Sequence, residues 1–304
     1  MSRRKLASLL LTGTLSLWGF RAYSDEALGT KPGYLIFAPS RVPNQEAVTR
    51  RIWAPGLDEG FVPQGLAVAE GDLFLSAYKS ADTKVGTGPC RVYRIDPETG
   101  EYTGFFDMPP DCGHAGGLAW VGEGRLVVAD TRRLYLVDAE KALAEGKAEG
   151  PALRSVTLAG ELKGSFIAFD GADLWTGVHD KGAAASRLYR LPLSIFDGPV
   201  PGGGLAEERA LGSIPVPVMA QGAAFDSRGN LWTSSSSSRF GSLYRLDPRT
   251  GEPLAQYTTV IGIEGLSFDA AGLLWSVSEA GTRRWLRWSM TYPFIFQLDL
   301  NKLR

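Results

Sequence analysis

The sequence predicts an all-β fold, a β-propeller of repeated four-stranded units, and three observations carry that prediction. First, the phrase RVYRIDPETG at 91–100 returns as SLYRLDPRTG at 242–251, with weaker copies at 133–138, 187–193 and 294–300. The aromatic residue they share falls at Tyr93, Tyr135, Tyr189, Tyr244 and Phe296, spaced 42, 54, 55 and 52 residues apart. Second, each copy follows a hairpin pattern in which a small residue, an apolar run, an Asp/Gly-rich turn and a second apolar run succeed one another, as in QGAAFDSRGNLW at 221–232 and IEGLSFDAAGLLW at 263–275. Third, a short extra strand follows most copies: YTGFFDM, RSVTLAG, ALGSIPV and QYTTVI. Each unit therefore reads as strands A, B, C and D of one blade.

Taken in order, the chain opens on an address. Ser2-Arg3-Arg4-Lys5 is basic, LASLLLTGTLSLWGF is apolar but short for a membrane span, and Ala22-Tyr23-Ser24 fits a small-x-small cleavage site. Residues 1–24 are expected to be a signal peptide of twin-arginine or Sec type, so the mature chain is expected to be periplasmic or secreted and to lack a membrane span. Residues 25–48 read as an N-terminal extension and 49–304 as the propeller. GYLIFAPS at 33–40 reads as a strand without a place, which leaves six blades as the alternative to five.

Five A–B hairpins follow, and the last blade ends on its C strand, without a D strand. TRRIWAPG at 49–56 has the character of a D strand. Lending it to the last blade closes the ring and leaves no unpaired edge. The only run with helical character, DAEKALAEGKAEG at 138–150, reads as a C–D connection, and PVPGGGL at 199–205 as a flexible insertion.

The net charge of −1 and the lack of a basic run exclude a nucleic-acid-binding surface. The two cysteines, Cys90 and Cys112, map to one end of the first blade, at the start of strand C and just past strand D. In an exported chain this placement predicts a disulfide closing a loop of about 20 residues.

In a propeller the D–A and B–C connections share one face, and the residue before each A strand faces the central channel. Aligning the hairpins puts Gln64, Gly116, Ser165, Gln221 and Glu264 there. His114 lies two residues before Gly116, and the B-strand ends add Tyr78, Asp130, His179 and Glu279 to the same face. Convergent polar side chains around an axial pit are where a small molecule binds. A carboxylate at the narrow end of the ring, Glu264, needs a cation, a proton or a hydrogen-bond donor. His114 and His179 are the candidate proton-transfer groups, and Gln64, Ser165, Gln221 and Tyr78 the candidate substrate contacts. Asp170, Asp226 and Asp269 belong to turns on the opposite face, Trp175, Trp232 and Trp275 to the core, and no nucleophile elbow accompanies the serine run 234–238.

Ile263-Glu264-Gly265-Leu266, Gln64-Gly65-Leu66 and FDSRGNLW followed by LYRLDPRTG resemble the gluconolactonase/regucalcin-like, strictosidine-synthase-like and NHL-repeat propellers. The resemblance covers most of the mature chain as blade grammar. From the lactonase branch it implies a divalent cation, calcium foremost, at the channel mouth, with Glu264 and Asp130 as ligands. Gln64 and Gln221 stand where that branch prefers Asn, and the branch usually has six blades. The resemblance implies hydrolysis of a small lactone or ester. Two alternatives stay open: a non-catalytic periplasmic propeller binding a small molecule or a protein partner, and a His-dependent lyase resembling the streptogramin lyases.

Overall fold

A computed structural model describes residues 27–199 and 202–304. The expected signal peptide, residues 1–24, lies outside the described residues. Twenty strands form five four-stranded antiparallel sheets, and the A strands of successive sheets pack side by side in a closed ring. The chain is a five-bladed β-propeller.

Strand β1 (Val48–Trp53) comes first. Blade 1 holds β2 (Phe61–Ala69), β3 (Asp72–Lys79), β4 (Cys90–Ile95) and β5 (Tyr102–Asp107). Blade 2 holds β6 (Gly117–Trp120), β7 (Arg125–Asp130), β8 (Arg133–Asp138) and β9 (Leu153–Thr157). Blade 3 holds β10 (Phe166–Phe169), β11 (Asp173–Gly177), β12 (Arg187–Pro192) and β13 (Gly212–Pro215). Blade 4 holds β14 (Ala220–Phe225), β15 (Leu231–Ser236), β16 (Gly241–Leu246) and β17 (Pro253–Thr258). Blade 5 holds β18 (Ile263–Phe268), β19 (Leu274–Ser278) and β20 (Phe294–Leu298).

Blade 5 takes β1 as its fourth strand, in the order β1-β20-β19-β18, with Ile52 opposite Ile295 and Trp53 opposite Phe294. The expected closure by the N-terminal strand is therefore the one observed. Leu28 adds a parallel bridge to Ile52 outside it, its amide donating to Arg51 O at 2.9 Å, so the closing strand is itself covered. Segment 33–40 is not a strand and there is no sixth blade among the described residues. Its residues turn over the edge of blade 5, with Leu35 buried and Ile36 and Phe37 exposed. The run at 138–150 does connect strands C and D, but it contains a short helix, α1 (Ala139–Glu145), capped by the Asp138 side chain on Lys141 N and ended by left-handed Gly146. The last D strand starts at Pro253, three residues ahead of the expected QYTTVI.

The repeated phrases have identifiable work. Asp170, Asp226 and Asp269 each accept backbone amides of their own turn and the indole N–H of the tryptophan that follows, at 2.8 Å from Trp175, 3.2 Å from Trp232 and 2.9 Å from Trp275. The buried tryptophan packs in the core while its one polar atom is satisfied at the rim. Asp96 and Asp247 do the same for the turn after strand C, accepting from Glu98 N and Arg249 N at 2.8 Å each, and Gly100 and Gly251 provide the positive φ that ends it.

Candidate functional site

The axis of the ring is narrow because four of the five A strands carry a glycine near their start. A Cβ on Gly65 would lie 2.6 Å from Gly117 C, one on Gly117 2.5 Å from Ile167 N, one on Gly222 2.6 Å from Glu264 O, and one on Gly265 2.6 Å from Leu66 N. Blade 3 has Phe166 at this point, fully buried, with Gly177 opposite making room for its ring.

Three of these strands are also bulged. The pairing registers of β2, β14 and β18 shift at Gln64-Gly65, at Gln221 and at Glu264-Gly265 respectively. A bulge adds one residue against its partner strand and re-aims its side chain. Blades 4, 5 and 1 are consecutive in the ring, so the three re-aimed polar side chains come from adjacent blades. The sequence expectation that Gln64, Gln221 and Glu264 share one end of the channel agrees with this geometry.

What they meet there is a second carboxyl group, Glu279, at the end of blade 5's B strand. Gln221 Nε2 donates to Glu264 Oε1 at 2.8 Å, and Gln64 Nε2 lies 3.4 Å from Glu279 Oε2 while donating to Pro63 O at 2.8 Å. Trp285 Nε1 donates to the same Glu279 oxygen at 2.6 Å. Glu264 and Glu279 are only 2 % and 7 % exposed. Burial pushes the Glu279 carboxyl up to about 7, against hydrogen bonds from Trp285 and Gln64 and the nearby charge of Arg284. Burial, then the charge of Glu279, raises Glu264 well above the carboxylate range. Two adjacent buried carboxyls cannot both ionise cheaply, so the pair holds a proton or a cation.

The histidines flank this pair. His179 Nδ1 lies 3.2 Å from Ala220 O, next in sequence to Gln221, whose carboxamide donates to Glu264. His114 Nδ1 binds Gly86 O at 2.8 Å, and its ring stacks on Tyr78 with centroids 4.4 Å apart. Burial lowers the pKa of both imidazoles and favours their neutral forms. Ser165 is half-buried, forms no side-chain hydrogen bond among the described residues, and sits just before the unbulged strand β10.

Two expectations need correction. Asp130 does not join Glu264: its carboxylate accepts the amides of Gly113, His114 and Ala115 at 3.2, 2.6 and 3.0 Å and forms no cluster with Glu264 and Glu279 among the described residues. It is the clamp of the His114 loop, where Ala115 is held at φ 48. Tyr78 is not a pit-lining contact. It is buried between His114 and the Arg284 guanidinium, from which its hydroxyl accepts a hydrogen bond. Cys90 and Cys112 are both buried, and no S–S bond joins them in this structure. Blade 1 does bring them together at one end: both sulfurs lie within 4.8 Å of each other and of an Asp130 oxygen.

Sequence reasoning missed Arg284 and Trp285. They lie on the B–C connection of blade 5, residues 279–293, the longest of the five such connections. That length, with Trp285 and Trp288 on it, was the available signal. Arg284 lies with its guanidinium 4.4 Å from the Trp285 ring centroid and 5.4 Å from that of Tyr78.

No protein-family model matches the chain, and no curated protein matches it in sequence. Among solved structures it is similar to Myxococcus xanthus glutaminyl cyclase, with a TM-score of 0.53 at 15 % identity over 83 % of this chain and 94 % of that one. A luciferin-regenerating enzyme follows at a TM-score of 0.47 and 12 % identity, over 88 % of this chain and 97 % of that one. The PQQ-bound aldose sugar dehydrogenase of Streptomyces coelicolor gives 0.45 and 20 %, over 79 % and 80 %. The likeness to the cyclase agrees with the propeller fold that the strand topology shows.

Proposed function

We propose that the axial pit is a cation-dependent acid–base site that hydrolyses a small lactone or ester. The observation that carries this reading is the buried Glu264–Glu279 pair, delivered by bulged strand β18 and the end of β19 and held by Gln64 and Gln221. Glu264 Oε2 and Glu279 Oε1 have no hydrogen-bond partner among the described residues, so each carboxylate keeps a free donor oxygen. An all-oxygen donor set without thiolate or imidazole fits a hard cation such as calcium or magnesium. Glu264 and Glu279 would hold it, with Gln64 and Gln221 as neighbours. Asp130 has no part in it. When bound, the cation would polarise the substrate carbonyl.

The chain's own groups supply the proton chemistry. With both carboxyls holding the cation, the proton passes between water and the leaving alcohol through His179, whose imidazole burial keeps neutral and able to accept a proton. His179 Nδ1 lies 3.2 Å from the O of Ala220, the neighbour of Gln221, which donates to Glu264. His114 acts on Tyr78 and Arg284 by packing, which makes it a positioning residue.

The test is calcium binding followed by catalysis. Calcium should raise the melting temperature of the chelator-treated protein saturably, because ligand stabilisation exists only through binding the native state. Glu264→Gln should abolish that rise and any hydrolysis of a lactone and aryl-ester panel. Hydrolysis persisting in Glu264→Gln would overturn the assignment. A calcium response without hydrolysis of any substrate would favour the binding-propeller reading, which the burial of both carboxyls also favours.

A further inference from the structure

We propose that the blade 5 connection 279–293 is a hinged cover and that Trp285 is the gate residue deciding what reaches the carboxyl pair. The proposal concerns access to the pit and rests on the proposed function only for what passes through.

The cover is built like a compact loop with joined ends. Tyr292 N–H donates to Ala280 O at 2.7 Å, and Thr291 and Ser40 exchange two hydrogen bonds, Ser40 N to Thr291 O at 2.8 Å and Thr291 N to Ser40 Oγ at 2.9 Å. Tyr34 Oη donates to Gly281 O at 3.0 Å, and Gly281 has φ +91, a conformation that a side chain would resist. The base is therefore tied down. The tip, from Arg283 to Met290, contains no strand or helix, and Arg283, Leu286, Arg287 and Ser289 on it are exposed.

The tip is held over the pit by side chains: Arg283 Nε donates to Asp58 O at 3.1 Å, and its guanidinium pairs with the Asp58 carboxylate at 3.5 Å, in an exposed setting. Trp285 stacks on Trp288 with centroids 4.8 Å apart and donates its one N–H to Glu279. Trp288 in turn sits against Gly262, where a Cβ would come within 2.8 Å of its ring. Arg284 reaches across to Tyr78 and Thr83 of blade 1. Within this closed arrangement Arg284 Nε and Thr282 Oγ1 are buried without a hydrogen-bond partner. Unsatisfied buried donors raise the free energy of the closed state relative to an open one in which water reaches them. A segment with an exposed tip, a tied base and unsatisfied interior donors is one that opens locally without unfolding the blades. With the cover down, both carboxyls are shut off from any substrate; with Trp285 withdrawn, Glu279 loses its shortest partner and the pit is open.

The test measures accessibility directly. A water-soluble carbodiimide with a small amine labels protonated carboxyl groups, and peptide mass spectrometry reads each site. Trp285→Ala should raise labelling at Glu264 and Glu279 by about tenfold or more while leaving the exposed control Glu98 unchanged. Equal labelling of the pair in the two proteins would overturn the proposal. Hydrogen exchange on the unaltered protein decides the matter if the variant does not fold. Amides of the tip should exchange at least about a hundredfold faster than those of β18 and β19, and exchange in step with those strands would refute the hinge. Calcium slowing the labelling supports the cation reading. Its failure to do so, with the Trp285 effect intact, removes the cation and leaves the cover standing.

Discussion

Replacing Glu264 by Gln should stabilise the protein in the absence of metal, and the gain should grow with pH. Glu264 is buried and raised well above 4.5, the ordinary value of its carboxyl. Above that pH the unfolded chain releases the proton while the native state keeps it. The native state then binds more protons, so stability falls as pH rises, by about 1.4 kcal/mol for each pH unit through which Glu264 stays protonated. Gln reproduces the neutral form at every pH. Its Oε1 can still accept from Gln221, and its amide can donate to Glu279. The two proteins should therefore be equally stable near pH 4.5. From there the variant should pull ahead as the pH rises, by at most about 1.4 kcal/mol per pH unit. For a chain of this size each such step is about 2 °C in melting temperature. The assay is thermal or urea unfolding in chelator from acid to neutral pH. A variant less stable by a constant amount at every pH would refute the argument, since it would make Glu264 an ordinary hydrogen-bonding residue and not a carboxyl denied its charge.

Asp130→Ala should cost about 3 kcal/mol or more, because three amides lose their acceptor, yet leave any calcium response intact; loss of that response with the fold retained would restore Asp130 as a ligand. Gly265→Ala should cost at least about 3 kcal/mol in denaturation midpoint or abolish soluble expression, since its Cβ would meet Leu66 N at 2.6 Å and Gln64 O at 2.9 Å and backbone cannot give way; a wild-type midpoint would refute the close-packed axis. Deleting the chain through Pro55 removes β1 and bares the edge of β20, so the product should aggregate on size-exclusion chromatography, and a monomeric, cooperatively unfolding product would refute the closure. With their sulfurs brought together, Cys90 and Cys112 of the exported protein should stay unalkylated by iodoacetamide in denaturant without reductant, with a mass lower by two hydrogens; two adducts there would refute the disulfide.

The repeat was sufficient to read the fold. Hairpin turns, alternating strands and the aspartate that serves both its turn and a tryptophan are local, so each copy states its own structure within about a dozen residues. Blade count and closure followed because β1 carries the same D-strand pattern as its equivalents and the last blade lacks one. That Gln64, Gln221 and Glu264 occupy equivalent places was legible for the same reason, although they lie within the A strands and not before them. Tertiary structure alone decided the rest. Whether those three residues turn inward depends on bulges that only blades 1, 4 and 5 possess, and a bulge is a property of pairing between strands. Asp130 and Glu264 looked alike as carboxylates on one face. One is saturated by three amides of a neighbouring loop, and the other faces a second carboxyl in the dark of the axis. Trp285 and Arg284 stand on a connection longer than its counterparts in the other blades, so no repeat could place them. The charge state of a carboxyl is set by what lies within a few ångströms in space, and for these residues that neighbourhood is assembled from parts of the chain more than two hundred positions apart, as Gln64 and Glu279 are.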